Sequence, residues 1–423
     1  MKIGKRKVIL IVLSIFVASV AVSVYGEVFT WPECVREALQ NNSDLLSAKE
    51  KIKQTLQDKK ITRSILLPQI TAGISSKKSR TTTKNVSNTY SYNLTGKQLL
   101  FDGFKTIYDI RSASLSVKAV EYEYREVSSS VLFNLREAFV NLLKAQKLVS
   151  LTEEIAERRK KNLELVRLRY EAGREHKGSL LTAQASLAQA EFEVTQAKRN
   201  LVLAQRKLLK ELGRESFSPI VVKGEFDIKI EREVPDFERL VLDIPEFKKA
   251  VVYKNIAGFN LKSAQAYFFP EVSLNSSIDR TSSDWPPDEE EWSVGLSLSF
   301  SLFEGGSRIA EVSKAKSQLK EKEAEEKSLK DSLIFTLQEA WTEFQNAFDK
   351  VDVQKKYLEA AEERAKIASA QYSTGLISFD DWTIIEDNLA SAQKAYLNAQ
   401  AEALIVQAWW IKVKGGILED EVH

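Results

Sequence analysis

Two hydrophobic periodicities share this chain. Near residue 300 the period is two: Trp292, Val294, Leu296, Leu298, Phe300 and Leu302 alternate with Ser293, Gly295, Ser297, Ser299 and Ser301. The same alternation sets Val272, Leu274, Ser276 and Ile278 against Ser273, Asn275, Ser277 and Asp279. It recurs more weakly in Ile70, Ala72 and Ile74, then in Tyr90, Tyr92, Leu94 and Leu100. A period of two predicts strands: two pairs, each strand about 10 residues long, joined by polar loops at residues 79–89 and 280–290. Elsewhere neither Pro nor Gly interrupts residues 104–172, 179–212, 307–374 and 376–414. These stretches are rich in Ala, Glu, Lys, Leu and Gln, the strong helix formers. At about 1.5 Å per residue, the two longest would each reach about 100 Å. Their charge excludes a lipid surrounding, so they predict long helices paired in water as coiled-coil-like hairpins.

The chain repeats itself at a constant offset of 202 residues. Leu67-Pro68-Gln69-Ile70 matches Phe269-Pro270-Glu271-Val272, and Leu100-Phe101-Asp102-Gly103 matches Leu302-Phe303-Glu304-Gly305. Leu135, Glu137 and Ala138 match Leu337, Glu339 and Ala340; Tyr170 and Gly173 match Tyr372 and Gly375; Ala188 and Ala190 match Ala390 and Ala392. One ungapped offset over more than 100 residues implies a duplicated unit. The period is too long for a solenoid array.

Strands of about 10 residues suffice to cross a bilayer at a tilt. Alternation by itself equally fits a sheet laid over a water-soluble core. Against that, the rest of the chain offers no globular domain to cover, and the polar face carries Ser, Thr, Gly and Asn, which suit a wet lumen. Four strands cannot close a barrel, and an open edge in hydrocarbon strands its backbone groups at several kcal/mol each. Chains must therefore pool their strands, and three chains supply twelve. The expected fold is an α+β membrane protein: a trimer sharing a 12-stranded β-barrel, four strands per chain, continued by a long α-helical barrel in water.

Charge changes the picture at the start of the chain. Lys2, Lys5, Arg6 and Lys7 precede 17 uncharged residues, Val8 to Val24, and then short residues before Glu27. That is the layout of a secretory signal over residues 1–26; the alternative is a retained anchor, since the apolar run is near the lower limit for spanning. Cleavage removes four of 61 basic residues and none of 59 acidic ones, turning the net charge from +2 to about −2. The basic character of the full chain thus says nothing of nucleic acid. One cysteine, Cys34, excludes a disulfide framework and a paired-cysteine zinc site. Two histidines, His176 and His423, speak against a His-based metal centre or triad, so neither a cofactor nor an enzyme is expected. Cys34 also lacks the context of a lipid-anchored N-terminus.

The layout resembles the TolC-like family of outer-membrane channels over essentially the whole chain after residue 26. The resemblance rests on Pro32-Glu33-Cys34-Val35-Arg36-Glu37-Ala38-Leu39-Gln40-Asn41-Asn42-Ser43-Asp44-Leu45, on the duplicated Leu/Phe-Pro entry and Leu-Phe-Asp/Glu-Gly exit of each strand pair, and on the turns at residues 169–173 and 371–375. It implies two efflux-type repeats, 27–213 and 236–414, an equatorial linker at 214–235 with short strands in Ile220-Val221-Val222 and Phe226-Asp227-Ile228-Lys229-Ile230, and a tail at 415–423. Trp409 and Trp410 are expected to pack against that linker; Trp285, Trp292, Tyr90, Tyr92 and Phe300 are expected to girdle the barrel.

The resemblance further implies a homotrimer in the bacterial outer membrane, reaching into the periplasm and conducting cargo passively. Its partners would be a periplasmic adaptor, an inner-membrane pump of the RND or ABC class, and outer-membrane lipid. Function would lie at the helical tips, 169–179 and 371–381. In family members the second tip carries a Tyr and an Arg that hold the aperture closed, then aspartates forming an acidic ring. By position Tyr372 matches the Tyr, Asp381 the first ring aspartate with Asp380 beside it, and Ile377 stands where the Arg would be. Ile384 takes the place of the second ring aspartate, and Ser179 that of a residue often acidic in relatives. The charged latch is thus incomplete, and apolar packing of Ile377, Phe379 and Trp382 is its expected replacement. Ser378, Asp380 and Asp381 are all residues that cap helices, so Asp380 has a capping role as its alternative. Gly173, Gly375 and Leu376 match the places where family members meet the adaptor, or else serve only to break the helix. A tether that spans the periplasm without conducting is the other reading of the whole; it would need no strands with a polar face.

Overall fold

The computed structural model describes residues 27–81, 84–226 and 233–422. The expected signal segment 1–26, and all but Phe226 of the second linker strand, lie outside the described residues. In order, the elements are β1 (Glu27–Phe29), α1 (Trp31–Asn41), α2 (Ser43–Ser64), β2 (Gln69–Thr81), β3 (Lys84–Phe101), α3 (Lys105–Glu171), α4 (Lys177–Leu212), β4 (Ile220–Val222), α5 (Phe237–Leu240), α6 (Pro245–Ala266), β5 (Glu271–Ser282), β6 (Glu289–Ser299), α7 (Ser307–Thr374) and α8 (Phe379–Val413), with a closing 3-10 turn at Leu418–Val422. No helix among them is long and apolar enough to cross a membrane.

The long helices run as far as the absence of Pro and Gly allows: 67 residues in α3 and 68 in α7. Each begins at the Phe-Asp/Glu-Gly exit, and the structure shows what that motif does. Asp102 Oδ2 accepts the Thr106 N–H at 2.8 Å, satisfying one of the orphan donors of the α3 start. Gly103 has φ +71°, and a Cβ there would lie 2.7 Å from the Ala266 carbonyl. In the second copy the carboxylate of Glu304 binds Arg308 at 3.0 and 3.1 Å.

β2, β3, β5 and β6 form one antiparallel sheet in that order, open at both edges. Its amphipathicity is inverted. Ile70, Ile74, Trp292, Val294, Leu296 and Leu298 point outward, Ile74 being 77% exposed, while Ser273 on the other face is buried. Hydroxyls link strands along that polar face: Ser75 to Ser91 at 2.8 Å, Ser277 to Ser293 at 3.0 Å, and Asn275 Nδ2 to Ser297 Oγ at 2.8 Å. The expected loop at 79–89 is mostly ladder, since Ser79 pairs with Ser87 and Arg80 with Val86, and β3 extends to 18 residues. Cross-strand pairs of Ser, Lys and Asn hold this end together without any apolar alternation to announce it. The second loop shrinks to 283–288. Tyr90 and Tyr92 stand edge-on to Trp285 at 6.0 and 6.3 Å between centroids, at the far end of the sheet from Phe300.

Midway along the helices a compact belt forms. β1 and β4 pair in parallel over a core containing Val35, Leu45, Leu135, Leu142, Leu208 and Ile220. Thr30 and Glu33 form a capping box, and Asn42 caps α2 while its amide donates to the Glu211 carbonyl at 2.9 Å. Within the tail, residues 415–422 fold back onto the belt. Leu418 is fully buried in this core, Glu419 accepts from Ser128, and Trp31 Nε1 donates to Glu421 at 2.7 Å. Trp410 packs with Val241, Ile244, Trp341 and Phe344, and Trp409 meets Phe133 edge-on; linker residues 227–232, against which they are expected to pack, lie outside the described residues. The second repeat thus builds a core of its own around α5, and Phe226 of the linker packs beside it on Ala401 and Leu404 of α8.

Candidate functional site

The two helical hairpins, α3 with α4 and α7 with α8, end in turns of the same construction. Arg174 N donates to the Arg169 carbonyl at 2.8 Å, and Leu376 N to that of Gln371 at 2.8 Å. Gly173 (φ +71°) and Gly375 (φ +83°) supply the left-handed residue each turn requires. The turns nevertheless differ in what they carry. Tyr170 and Tyr372 are repeat mates, yet Tyr170 is 38% exposed and Tyr372 is 0% exposed.

Tyr372 is held on all sides. Its ring stacks on Trp382 with centroids 4.2 Å apart and planes at 13°, and Phe379 lies on a third side. The Arg169 guanidinium sits 4.6 Å from the ring centroid, and its Nη1 donates to the Tyr372 carbonyl at 2.6 Å. The Tyr372 hydroxyl donates to Glu175 Oε2 at 3.0 Å. Glu175 Oε1 accepts the Ser179 hydroxyl at 2.9 Å and the His176 N–H at 3.3 Å. Arg169 and Glu175 belong to the first hairpin, Tyr372 and Trp382 to the second. The site is therefore a tie between hairpins within one chain. Burial, then the bond to Glu175, pushes the Tyr372 hydroxyl above its ordinary range, so it stays a donor. Partial burial works against ionisation of Glu175, but the hydrogen bonds from Ser179, Tyr372 and the His176 amide outweigh it and hold this carboxyl below the usual range.

The expected residues fall as follows. Ile377, Phe379 and Trp382 do pack with Tyr372 in one apolar cluster, joined by Leu163, Val166 and Ala368. Ser179 is buried and acts through Glu175 rather than standing free. The cap of α8 is Ser378, not Asp380: its Oγ accepts the Asp381 N–H at 3.1 Å and donates to Asp381 Oδ2 at 2.7 Å. Asp381 is thereby engaged, because only the third residue of the helix is placed to close this reciprocal pair. Asp380 is exposed and makes no hydrogen bond or ion pair among the described residues. Leu376 is 75% exposed and Ile384 is exposed too. A Cβ on Gly173 would meet nothing within 4 Å.

Above the tip, further ties join the hairpins. Arg159, nearly buried, pairs with Asp387; Arg158 Nε lies 3.2 Å from buried Glu386, which also accepts from Asn162 at 3.2 Å; Lys394 reaches Glu193 at 2.5 Å. None of these stands out in the sequence. For Arg169 and Glu175 a signal did exist: their repeat mates are Gln371 and Ile377, so charge appears in one copy only. No group of three or more His, Cys, Asp or Glu among the described residues is arranged to hold a metal ion.

Comparison with known proteins gives one consistent pattern. A family model described as outer membrane efflux protein matches residues 34–214 and 240–409. The chain is 19% identical to the outer membrane efflux protein BepC of Brucella suis, covering 91% of this chain and 85% of that one. It is 22% identical to the cation efflux system protein CusC of Escherichia coli, covering 86% and 81%. Among solved structures, a crystal structure of CusC superposes with a TM-score of 0.82 at 20% identity over 90% of this chain and 91% of that one. The open state of the MtrE outer membrane channel of Neisseria gonorrhoeae gives 0.81 at 20% identity over 93% and 90%.

Proposed function

The chain belongs to the outer membrane efflux protein family, and from that premise we infer that it is the exit duct of a bacterial efflux or secretion assembly. The duct lies in the outer membrane and reaches into the periplasm. The observation that carries this reading is a sheet open at both edges with its apolar side facing out. Such a sheet satisfies its backbone in lipid only by joining others into a closed barrel. Three chains make twelve strands, with a polar lumen lined by the Ser, Thr and Asn face. Below it the hairpins of α3, α4, α7 and α8 continue the wall for about 100 Å. A tether would have no use for the polar lining.

No residue performs covalent chemistry in this reading; the chain supplies a passage and a closure. The gate is the tie at Tyr372. Opening the mouth requires the second hairpin to swing from the first, which must break Tyr372–Glu175 and Arg169–Tyr372 and strip Tyr372 of its apolar neighbours. Ile377 and the Ser179–Glu175 contact belong to the same closure. Asp380, three copies around a threefold axis with Asp381 beside it, forms an anionic collar that favours cations. The exposed turn of Gly375 and Leu376, with Gly173 in the other hairpin, is the surface offered to a periplasmic adaptor. That adaptor couples the duct to an inner-membrane pump, which supplies the energy.

Purified protein reconstituted in planar bilayers, with its mass measured in detergent, tests the reading. Discrete cation-preferring conductance from a particle of three chains is expected. A monodisperse single chain that stays soluble without detergent would overturn it.

A further inference from the structure

The open edges of the sheet carry opposite charge. From Gln69 through Phe101 the first strand pair has no Asp or Glu, but it has Lys77, Lys78 and Arg80 near the outer end of β2. The second pair places Asp279, Asp284, Asp288, Glu289, Glu290 and Glu291 around its outer end, against a single Arg280. Among the described residues of one chain, only Glu290 of this group finds a cation, accepting from Arg280 Nε at 2.8 Å. Glu291 instead faces Asp279 directly across the ladder, and like charges so placed repel. Lys77, Lys78, Arg80, Glu289 and Glu291 are exposed and make no ion pair among the described residues.

We propose that Glu289, Glu290 and Glu291 of β6 in one protomer pair with Lys77, Lys78 and Arg80 of β2 in the next, forming a charge-matched seam that fixes the register of the shared barrel. This rests on the twelve-stranded reading above and adds which residues meet. Closing the ring brings β6 antiparallel to the next chain's β2. The ladder shows how the levels run: Ser75 pairs with Ser91, Ser91 with Thr281, and Thr281 with Glu289. So β6 begins level with Ser75, while β2 continues to Thr81. Crossing four strand spacings of about 4.8 Å at a tilt of about 35–45°, the ladder slips by about four to six residues per protomer. Directly opposed residues share a face, so the slip is even, about four or six. A slip of four sets Glu291 against Lys77 and Glu290 against Lys78. A slip of six sets Glu290 against Arg80, with Lys77 diagonal to Glu291. Both registers bring unlike charges together.

The height fits as well. The outward apolar residues end at Ile74 on β2 and begin at Trp292 on β6, and the charges lie beyond them. The seam is therefore in water at the bilayer surface, where ions need no desolvation into hydrocarbon.

Two experiments on the full chain decide it. In the first, Lys77→Glu/Lys78→Glu/Arg80→Glu and Glu289→Lys/Glu290→Lys/Glu291→Lys are purified separately and combined. Each triple is expected to lower the trimer yield by roughly tenfold, and the sixfold exchange to restore it. In the second, Glu291→Cys is combined with Lys77→Cys, with Ser79→Cys or with Thr71→Cys, and treated with a short bis-maleimide; Cys34, fully buried, does not compete. Lys77→Cys or Ser79→Cys is expected to give covalent trimers and Thr71→Cys none. If the wild type is a trimer but neither of those pairs links better than Thr71→Cys, the seam is wrong and the barrel stands. If the wild type is not an oligomer, both fall.

Discussion

Tyr372→Phe is the sharpest perturbation of the tie, because it deletes one bond and keeps the shape. The hydroxyl it removes donates to a carboxylate at 3.0 Å. Hydrogen bonds to charged groups contribute about 1.5–3 kcal/mol. Glu175 keeps its bonds from Ser179 and the His176 amide, so no buried acceptor is orphaned and the lower figure applies, ~1.5 kcal/mol per protomer. The stack on Trp382 and the Arg169 contact are untouched. If release of one protomer opens the mouth, opening events rise roughly tenfold; if all three must release together, the increase is on the order of a thousandfold. Single-channel recording of reconstituted trimers reads this directly, and the size of the change reports how many protomers move. Tyr372→Ala would add the loss of a buried ring, ~3–5 kcal/mol, and so disturb the tip itself. Opening statistics of Tyr372→Phe indistinguishable from wild type, in trimers of unchanged mass, would refute the tie as a gate.

Acid should act through Glu175. Its carboxyl is held below the usual 4.5 by bonds that only the charged form makes fully. Its contribution is complete above that value and is lost as pH falls through the lowered one. Opening events are therefore expected to be flat from about pH 7 to about pH 5 and to rise only in stronger acid, with Glu175→Gln open-prone and insensitive to pH. Asp380→Asn should reduce cation preference more than Asp381→Asn, since Asp381 is spent on Ser378; reversal potentials in a salt gradient measure this, and equal effects would move the collar. Cys34, fully buried with its thiol pushed up to about 12 mainly by burial, should resist maleimide in the native protein and react on unfolding. Mass spectrometry of the native adduct checks it.

Much of the architecture was legible because its signals are long. Helices of 67 and 68 residues need uninterrupted helix formers, and lipid-facing strands need alternation. Polar ladders gave no such cue, so the outer end of β2 and β3 read as loop when Ser79 and Ser87 in fact pair. The repeat located both tips but concealed their difference. Tyr170 and Tyr372 are identical in the sequence and opposite in burial, because Trp382 and Phe379 cover Tyr372 from its own hairpin while Arg169 and Glu175 close on it from the other. Such pairings, about 200 positions apart, follow from packing rather than from any local pattern. The closing turn was hidden likewise: Leu418 looks like any terminal residue until Ser128 and Trp31 are placed beside it.

The unequal fate of the two matched tyrosines has a geometric outcome for the assembled mouth. Duplication would furnish three chains with six nearly equivalent leaves around the opening. Because a tyrosine is pinned on alternate leaves only, that approximate sixfold arrangement decays to a true threefold one at the rim. If the proposed tie is the gate, three leaves would serve as a fixed frame and three as shutters, and the orifice would widen as a triangle rather than as a circle.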